Sequence, residues 1–198
     1  MLILGLTGSI GMGKSTAAGM LRRMGIPVHD ADRVVHALTR PGGAAIPAIK
    51  AAFPDLVTGA GPNRAELSRR AFNDPALLRK LEQILHPLVK KEEASFLKHE
   101  RARRSQLVVL DIPLLFETHG EKRCDAVLVV SAPRAVQLTR VLARPGMTRA
   151  KLAGIEQRQM PDAEKRKRAD FVIPTGRGRS ATWRALKDAI AKARQGKR

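Results

Sequence analysis

The chain has 198 residues, of which 43% are hydrophobic. This is enough for one α/β domain with a small inserted subdomain and too short for two independent full domains. An excess of 37 Lys and Arg over 18 Asp and Glu gives a formal net charge of +19, which favours polyanionic partners such as phosphorylated metabolites, nucleic acid or anionic membrane. With 3% aromatic residues and no tyrosine, few side chains are available to stack on the bases of single-stranded nucleic acid.

The cysteine content and the hydropathy pattern predict a soluble, cytoplasmic protein. The single cysteine, Cys124, cannot form an internal disulfide, and the first residues lack the basic segment and cleavage site of a secretory signal. The apolar stretch from Leu107 to Phe116 is interrupted by Asp111 and Pro113, so it falls short of the roughly 20 residues that a membrane-spanning helix needs. We therefore expect no membrane association.

The first predicted elements are a strand, a glycine-rich loop, a helix and a second strand. Residues Leu2–Leu6 form a short apolar run that is typical of a buried strand in a parallel sheet. Apolar residues recur at helical spacing from Lys14 to Met24, and Gly25 is placed to end that helix. The second strand, Ile26–Val28, leads to Asp32 at the edge where open α/β sheets bind ligands.

A helical insertion is predicted next. Residues 41–62 are rich in Gly, Ala and Pro and indicate a mixture of helix and loop. Three helical patterns follow, at about Arg64–Phe72, Pro75–Leu85 and Pro87–Arg104, and no strand pattern interrupts them. We expect these helices to pack beside the sheet.

The second half of the chain alternates strands and helices. Apolar, β-branched runs predict buried strands, and basic stretches with helical spacing predict helices. The predicted strands are Leu107–Asp111, Ala126–Val130 and Phe171–Ile173, and the predicted helices are Arg134–Ala143, Arg149–Gln159 and Ser180–Ala193. The basic runs Arg101–Arg104 and Lys165–Arg168 are expected to be solvated helix faces.

The most specific motif lies between the first strand and the first helix. Its eight residues fit G-x-x-x-x-G-K-[ST], the phosphate-binding loop of nucleoside triphosphatases and kinases. They are Gly8, Ser9, Ile10, Gly11, Met12, Gly13, Lys14 and Ser15. Backbone N–H groups of such a loop point at phosphate oxygens, Lys14 would reach the β- and γ-phosphates, and Ser15 would ligate Mg²⁺.

Asp32 is the candidate general base. In phosphate-loop kinases, a carboxylate after the second strand can accept the proton of an attacking hydroxyl. Asp30, two residues earlier, would point to the other side of an extended segment. The competing interpretation is that Asp30 or Asp32 caps the helix that begins near Arg33.

Two further features have two interpretations each. Asp111 ends a hydrophobic strand, where a carboxylate can hold Mg²⁺ or can cap the strand end. Arg140 and Arg144 lie four residues apart, so both could reach phosphate oxygens from one face of a helix, or both could be solvated.

No Cys or His cluster has the spacing of a zinc site. His86, which precedes Pro87, is better explained as a structural residue at a helix end than as a substrate contact.

Taken together, these segments resemble the dephospho-CoA kinase family. The matching segments are Leu4–Gly8 through Ser15–Thr16, Val28–Asp32, Leu85–Pro87, Asp111–Glu117 and Gln159 with Ala169–Asp170. Their order and spacing match over nearly the full length. The phosphate loop is generic, whereas D-A-D, L-H-P and D-I-P-L-L-F-E are together specific to this family.

The resemblance implies an α/β three-layer fold with a five-stranded parallel sheet. It implies a nucleotide-binding core at about 1–62, 105–133 and 170–198, a helical CoA-binding insertion at about 63–104, and a lid at about 134–169. The implied reaction is phosphorylation of the ribose 3′-hydroxyl of dephospho-CoA, with ATP and Mg²⁺ as cofactors. We expect a monomer or weak oligomer that binds no nucleic acid.

The resemblance also assigns residues. Asp32 is implied as catalytic base, Lys14 and Arg140 as catalytic cations, and residues Gly8 to Thr16 as the ATP loop. Substrate binding is implied for Asp32, Arg64, Leu85, His86, Pro87 and Asp111. The chain departs from the family pattern at Thr175, where many relatives have Asn, so the family's contacts with the adenine of ATP do not carry over to this residue. Arg177 is a candidate to replace those contacts.

Two alternatives remain open from the sequence. A nucleoside or nucleotide kinase would share the loop, the base and the lid, and would differ mainly in the helical insertion. A nucleic-acid-binding protein that uses ATP as a switch would exploit the basic surface, although the acidic D-A-D segment and the low aromatic content disfavour it.

Overall fold

The computed structural model describes residues 1–58, 61–62, 66–67, 70 and 74–196. Among these, the strands are β1 Leu2–Thr7, β2 Val28–Asp30, β3 Val57–Thr58, β4 Gly61–Pro62, β5 Leu107–Asp111, β6 Ala126–Ser131 and β7 Phe171–Pro174. The α-helices are α1 Lys14–Arg23, α2 Ala31–Thr39, α3 Ile46–Ala52, α4 Pro75–Ala102, α5 Arg134–Leu142, α6 Arg149–Glu156, α7 Asp162–Arg168 and α8 Arg179–Gln195. Short 3₁₀ helices occupy Pro54–Leu56 and Gly120–Arg123. The chain divides into two compact units, residues 1–29 with 103–198 and residues 30–102.

The first unit is built on a parallel sheet with the strand order β2-β5-β1-β6-β7. Leu6 of β1 pairs with Asp111 of β5 and with Leu128 of β6, so the carboxyl ends of these strands meet at one edge. All five residues of β5 are buried, as expected for an apolar strand covered on both faces. The sheet confirms the predicted five-stranded α/β architecture.

Apolar layers lie on both faces of this sheet. Alternate residues of β6 point to opposite sides: Leu128 and Val130 pack in one cluster, and Val127 and Val129 pack in another. Helices α1 and α8 contribute to the first cluster, and Leu115 with its neighbour Phe116 belongs to the second. The sheet is therefore a rigid platform from which the loops at its carboxyl edge project.

The second unit begins at Asp30, earlier than the boundary near residue 63 that the sequence predicts. Its apolar core joins α2, α3, the Pro54–Leu56 turn, β3 and α4. The reason for the earlier start is packing, since Leu38, Ile49 and Phe53 share one buried cluster with Leu85 of α4. The segment 41–62 thus contributes to the core of this unit. Most of the helix predicted at 64–72 lies outside the described residues.

Helix α4 corrects the predicted break at Pro87. The sequence predicts one helix that ends at Leu85 and another that begins at Pro87, whereas a single helix runs from Pro75 to Ala102. Proline has no N–H to donate to the carbonyl four residues earlier, and its ring crowds the preceding turn. Leu85 and Leu88, one on each side of Pro87, pack in the same apolar cluster, and this packing holds the helix continuous.

In the described part of the chain, no helix combines the length and hydropathy needed to cross a bilayer.

Candidate phosphate-binding site

The loop between β1 and α1 has the geometry of an anion-binding turn. Gly11 and Gly13 adopt positive φ angles of 76° and 88°, which other residues rarely tolerate. Helix α1 begins at Lys14, and its N-cap, Gly13, provides no side-chain hydrogen bond. The first turn of α1 carries no acidic residue. The positive end of the helix dipole therefore faces the loop without a negative side chain to offset it.

Close packing fixes the path of this loop. A Cβ atom at Gly8 would lie 2.8 Å from the carbonyl oxygen of Val130, and one at Gly11 would lie 2.5 Å from Cγ2 of Val141. Neither position has room for a side chain. The glycines thus allow the loop backbone to lie directly against β6 and α5.

Two glutamines hold the peptide groups on either side of Ile10. The N–H of Ile10 donates to Oε1 of Gln159 over 3.0 Å, and its carbonyl accepts from Nε2 of Gln137 over 2.8 Å. Gln137 is buried, with 2% of its surface exposed. Because Gln137 comes from α5 and Gln159 follows α6, the predicted lid segment is hydrogen-bonded to the loop.

Arg140 of α5, a residue that the sequence predicts to contact phosphates, lies beside the loop. Its Nη2 donates to the carbonyl of Thr175 over 2.6 Å, and its Nη1 lies 3.4 Å from the carbonyl of Gly11. Arg144, one turn further, is exposed. Thr175, whose side chain was the point of departure from the family pattern, therefore contacts a predicted catalytic residue.

Lys14 forms an ion pair with Asp111. Its Nζ lies 2.7 Å from Oδ1 of Asp111, and the side chains are 15% and 3% exposed. The strand register explains the proximity, since Leu6 pairs with Asp111 one residue before β1 ends at Thr7. The pair joins the first residue of α1 to the last residue of β5, and a bound polyphosphate would compete with Asp111 for Lys14.

A second, buried ion pair corrects the expectation of a solvated face at Lys165, whereas Arg166, Lys167 and Arg168 are exposed as expected. Lys165 is fully buried, and its Nζ lies 2.9 Å from Oε1 of Glu117. The same carboxylate oxygen accepts the N–H of Met160 over 2.7 Å. Lys165 is buried because α7 packs against the loop after β5, where its charge is neutralised by Glu117. The pair ties the segment that carries Gln159 to the D-I-P-L-L-F-E loop.

A cavity of about 460 Å³ opens beside the phosphate loop. Its lining includes Ser9 and Met12 of the loop, together with Gln137 and Glu156. At its rim, Arg134 makes a two-pronged contact with Glu156, and the Nη2–Oε2 distance is 3.0 Å. This hydrogen bonding, followed by the charge of Glu156, raises the pKa of Arg134 above its ordinary value.

The remaining predicted residues belong to the second unit. Oδ1 of Asp30 accepts the N–H of Arg33 over 3.0 Å, so Asp30 is the N-cap of α2, and Asp32 lies exposed in the first turn. Leu85 is 9% exposed in the apolar cluster, whereas His86 and Pro87 are exposed. Arg64 lies outside the described residues. The substrate roles of these residues stay predictions.

Sequence reasoning missed Gln137 and gave no role to the hydroxyl of Thr175. One signal was available for Gln137: it lies three residues before Arg140 and four before the buried Val141, on the same face of α5. Thr175 offered no comparable signal, because its contacts join segments more than 160 residues apart in the chain, such as that with Met12.

Comparisons with known proteins agree with this geometry. A family model described as dephospho-CoA kinase matches residues 2–178. A relative named dephospho-CoA kinase from Rhodospirillum rubrum is 54% identical over 198 residues, covering 100% of this chain and 94% of its own length. A second relative of the same name, from Paramagnetospirillum magneticum, is 61% identical over 166 residues. The match covers 84% of this chain and 78% of the relative. A crystal structure of a Thermus thermophilus protein superposes with a TM-score of 0.80 at 39% identity, covering 96% of this chain and 97% of that one.

Proposed function

The chain belongs to the dephospho-CoA kinase family, and we infer that it transfers the γ-phosphoryl group of ATP to the ribose 3′-hydroxyl of dephospho-CoA. The products are CoA and ADP, and the reaction is the last step of CoA biosynthesis. The observation that carries this conclusion is the family match across residues 2–178, which includes the phosphate loop at the carboxyl edge of the sheet.

The loop fits the triphosphate of ATP. Its glycines bring the backbone close to a ligand, the uncapped N-terminus of α1 offers N–H groups, and Lys14 adds a full positive charge. We assign Gly8 to Thr16 to binding the phosphates, with Lys14 leaving Asp111 to contact them. The ion pair keeps the buried Asp111 carboxylate neutralised until the nucleotide arrives.

Mg²⁺ is assigned to Ser15, which lies exposed in the first turn of α1. When bound with ATP, the ion offsets negative charge on the phosphate oxygens. In the described residues, no group of three or more His, Cys, Asp and Glu side chains is arranged to hold a metal by itself. The phosphate oxygens of ATP and water would therefore complete the octahedral coordination.

Asp32 is the proposed general base. Because Asp30 already caps α2, helix capping does not account for a second carboxylate in this turn. The carboxylate of Asp32 would accept the proton of the attacking 3′-hydroxyl, and Arg140 would offset charge on the transferred phosphoryl group. Arg64, His86 and Pro87 are proposed to contact dephospho-CoA, and the buried Leu85 would support them by packing.

The cellular context is proposed on the same basis. A small-molecule acceptor and the absence of a membrane-spanning helix among the described residues fit a cytoplasmic enzyme. We propose that the protein acts as a monomer or weak oligomer and that nucleic acid is not its partner.

An acceptor panel tests the reaction. With Mg-ATP, ADP should form when dephospho-CoA is added, and much more slowly with nucleosides, nucleoside monophosphates or no acceptor. Equal rates with nucleoside acceptors would indicate a nucleoside or nucleotide kinase. Salt-dependent binding to RNA or DNA without acceptor-dependent ADP release would indicate the nucleic-acid alternative.

A substitution at Asp32 tests its assignment as general base. Asp32→Asn should lower kcat by about 100-fold or more, because general-base catalysis contributes ~10²–10⁴-fold, while ATP affinity stays within about threefold. Asp30→Asn is the matched control, since Asn also caps helices and should leave turnover nearly unchanged. Full activity in Asp32→Asn would remove Asp32 from the mechanism.

A further inference from the structure

Thr175 lies where three structural segments meet. It follows β7 directly, and its N–H donates to the carbonyl of Ser131 at the end of β6 over 2.9 Å. The residue is 6% exposed. Its backbone is thus anchored to the end of β6.

The hydroxyl of Thr175 bonds to the phosphate loop and to Arg140. Oγ1 lies 2.7 Å from the carbonyl of Met12 and 3.2 Å from Nη1 of Arg140. A hydroxyl has one proton to donate and lone pairs to accept with. Oγ1 therefore donates to Met12, the nearer acceptor, and accepts from the guanidinium; the carbonyl of Ser131, at 3.3 Å, is a longer alternative acceptor.

The side chain of Thr175 also lies close to Gly13, the residue before Lys14. A Cβ atom built on Gly13 would lie 3.2 Å from Oγ1 of Thr175 and 3.3 Å from its Cβ. Thr175 therefore hydrogen-bonds to the loop at Met12 and leaves little room for a side chain at Gly13. Gly13 directly precedes the lysine that we assign to the triphosphate, and Met12 lies one residue earlier.

Arg140 is held at two points by the same residue. Its Nη2 donates to the carbonyl of Thr175 over 2.6 Å, in addition to the contact of Nη1 with Oγ1. A guanidinium bound through two nitrogens has a defined plane as well as a defined position. The orientation of Arg140 relative to the loop thus depends on Thr175.

We propose that Thr175 is a positioning residue for phosphoryl transfer, which orients the phosphate loop through Met12 and aims the Arg140 guanidinium at the phosphates. The proposal rests on the function proposed above and adds a residue to its machinery. Misplacing catalytic groups by small distances costs large factors in rate. Loss of the hydroxyl would remove the hydrogen bond to Met12 and one of the two bonds between Thr175 and the guanidinium, leaving only the bond to the backbone carbonyl of Thr175.

Thr175→Ala and Thr175→Ser form the decisive pair, because both lose the methyl group and only Ser keeps the hydroxyl. We expect Thr175→Ala to lower kcat about tenfold and to raise KM for ATP several-fold, with KM for dephospho-CoA within twofold. Thr175→Ser should stay within about threefold of the parent enzyme in all three constants. Equal kinetics in the two variants would overturn the proposal.

Thr182 provides a matched control for loss of a buried hydroxyl. It is 3% exposed, and its Oγ1 lies 3.1 Å from the carbonyls of Pro174 and Gly178, outside the phosphate loop. Thr182→Ala should lower the unfolding midpoint about as much as Thr175→Ala and leave the kinetic constants unchanged. A kinetic defect of the same kind in Thr182→Ala would show that Thr175 acts only through stability.

Binding of an ATP analogue separates this proposal from the proposed function. If the parent enzyme released no ADP with dephospho-CoA, the acceptor assignment would fail, but calorimetry with a non-hydrolysable ATP analogue would still test Thr175. Weaker binding in Thr175→Ala than in Thr175→Ser would support the positioning role. Equal affinity in both variants would count against it, whatever the acceptor.

Discussion

At the scale of single residues, the contact between Lys14 and Asp111 links stability to nucleotide binding. The carboxylate is 3% exposed and lies 2.7 Å from the lysine. Removing one partner of a buried ion pair leaves the other charge in a poorly solvated place. The residue that we assign to the triphosphate therefore also stabilises the sheet edge before the ligand binds.

Lys14→Met should separate these two roles when it is combined with Asp111→Asn. We expect Lys14→Met to abolish measurable turnover and to lower the free energy of unfolding by about 2–4 kcal/mol, because Asp111 is left buried and charged. In the double variant the amide carries no charge, so most of the stability should return while turnover does not. Urea denaturation and the ADP-release assay measure the two effects. A double variant no more stable than Lys14→Met would contradict this account.

At the residue level, a local pattern predicts the phosphate loop, whose binding role stays a prediction. The phosphate loop is recognisable because its glycines and Lys14 are consecutive, and the structure shows why: Gly11 and Gly13 have positive φ angles. Lys165 shows the limit, since its run of basic residues indicates a solvated face, yet its partner Glu117 lies 48 positions away in the sequence. Local patterns do not reveal such distant partners.

At the scale of elements, the buried strands β5 and β6 were easier to predict than helix boundaries, whereas the second strand, predicted at Ile26–Val28, lies at Val28–Asp30. β5 and β6 are continuous apolar runs buried on both faces, and that pattern has few other interpretations. The predicted break at Pro87 was wrong because packing outweighed a local penalty. The side chains of Leu85 and Leu88 both pack in the core of the second unit. A break in the helix between them would take one of these side chains out of the core.

The penalty at Pro87 should still be measurable. Proline in a helix interior is less favourable than alanine by ~3 kcal/mol, and part of this is offset by its effect on the unfolded chain. We expect Pro87→Ala, at an exposed position, to raise the free energy of unfolding by about 1–2 kcal/mol. Because Pro87 is assigned to the substrate, the same variant should raise KM for dephospho-CoA.

Pro75→Ala is the control for the helix effect. Pro75 is the first residue of α4, where the missing N–H has no intrahelical acceptor in any case. Its replacement should change the free energy of unfolding by less than about 0.5 kcal/mol. Equal changes in the two variants, measured by urea denaturation, would mean that the interior position carries no penalty.

At the scale of the whole molecule, the structure confirms the predicted sheet, while the predicted division into core, insertion and lid stays a prediction. The five strands and their parallel arrangement follow from alternating apolar runs and helices. The start of the second unit at Asp30 does not, because the association of α2 and α3 with α4 rests on apolar contacts with no local signature. The extent of the predicted lid at 134–169 stays a prediction.

Net charge is a further property of the whole molecule that the sequence gives directly. A formal charge of +19 creates a positive potential that attracts ATP and dephospho-CoA, both of which are anionic. Salt screens this attraction, with a Debye length of about 10 Å at 0.1 M. We expect kcat/KM for both substrates to fall about tenfold between 20 and 300 mM KCl, while kcat changes less than twofold.

Reversing two charges on α8, outside the phosphate loop, distinguishes two effects of salt. One is screening of the long-range attraction of the substrates, and the other is competition of salt ions with the substrates in the site. Lys192 and Arg194 are exposed in the last turn of α8. Replacing both by Glu should lower kcat/KM at 20 mM KCl, and replacing both by Gln should have about half that effect, because each step removes the same amount of charge. At 300 mM KCl the parent enzyme and the two double variants should have the same kcat/KM, because salt screens the long-range attraction between protein and substrate. A difference that persists at high salt would place the effect in local structure rather than in the field of the molecule.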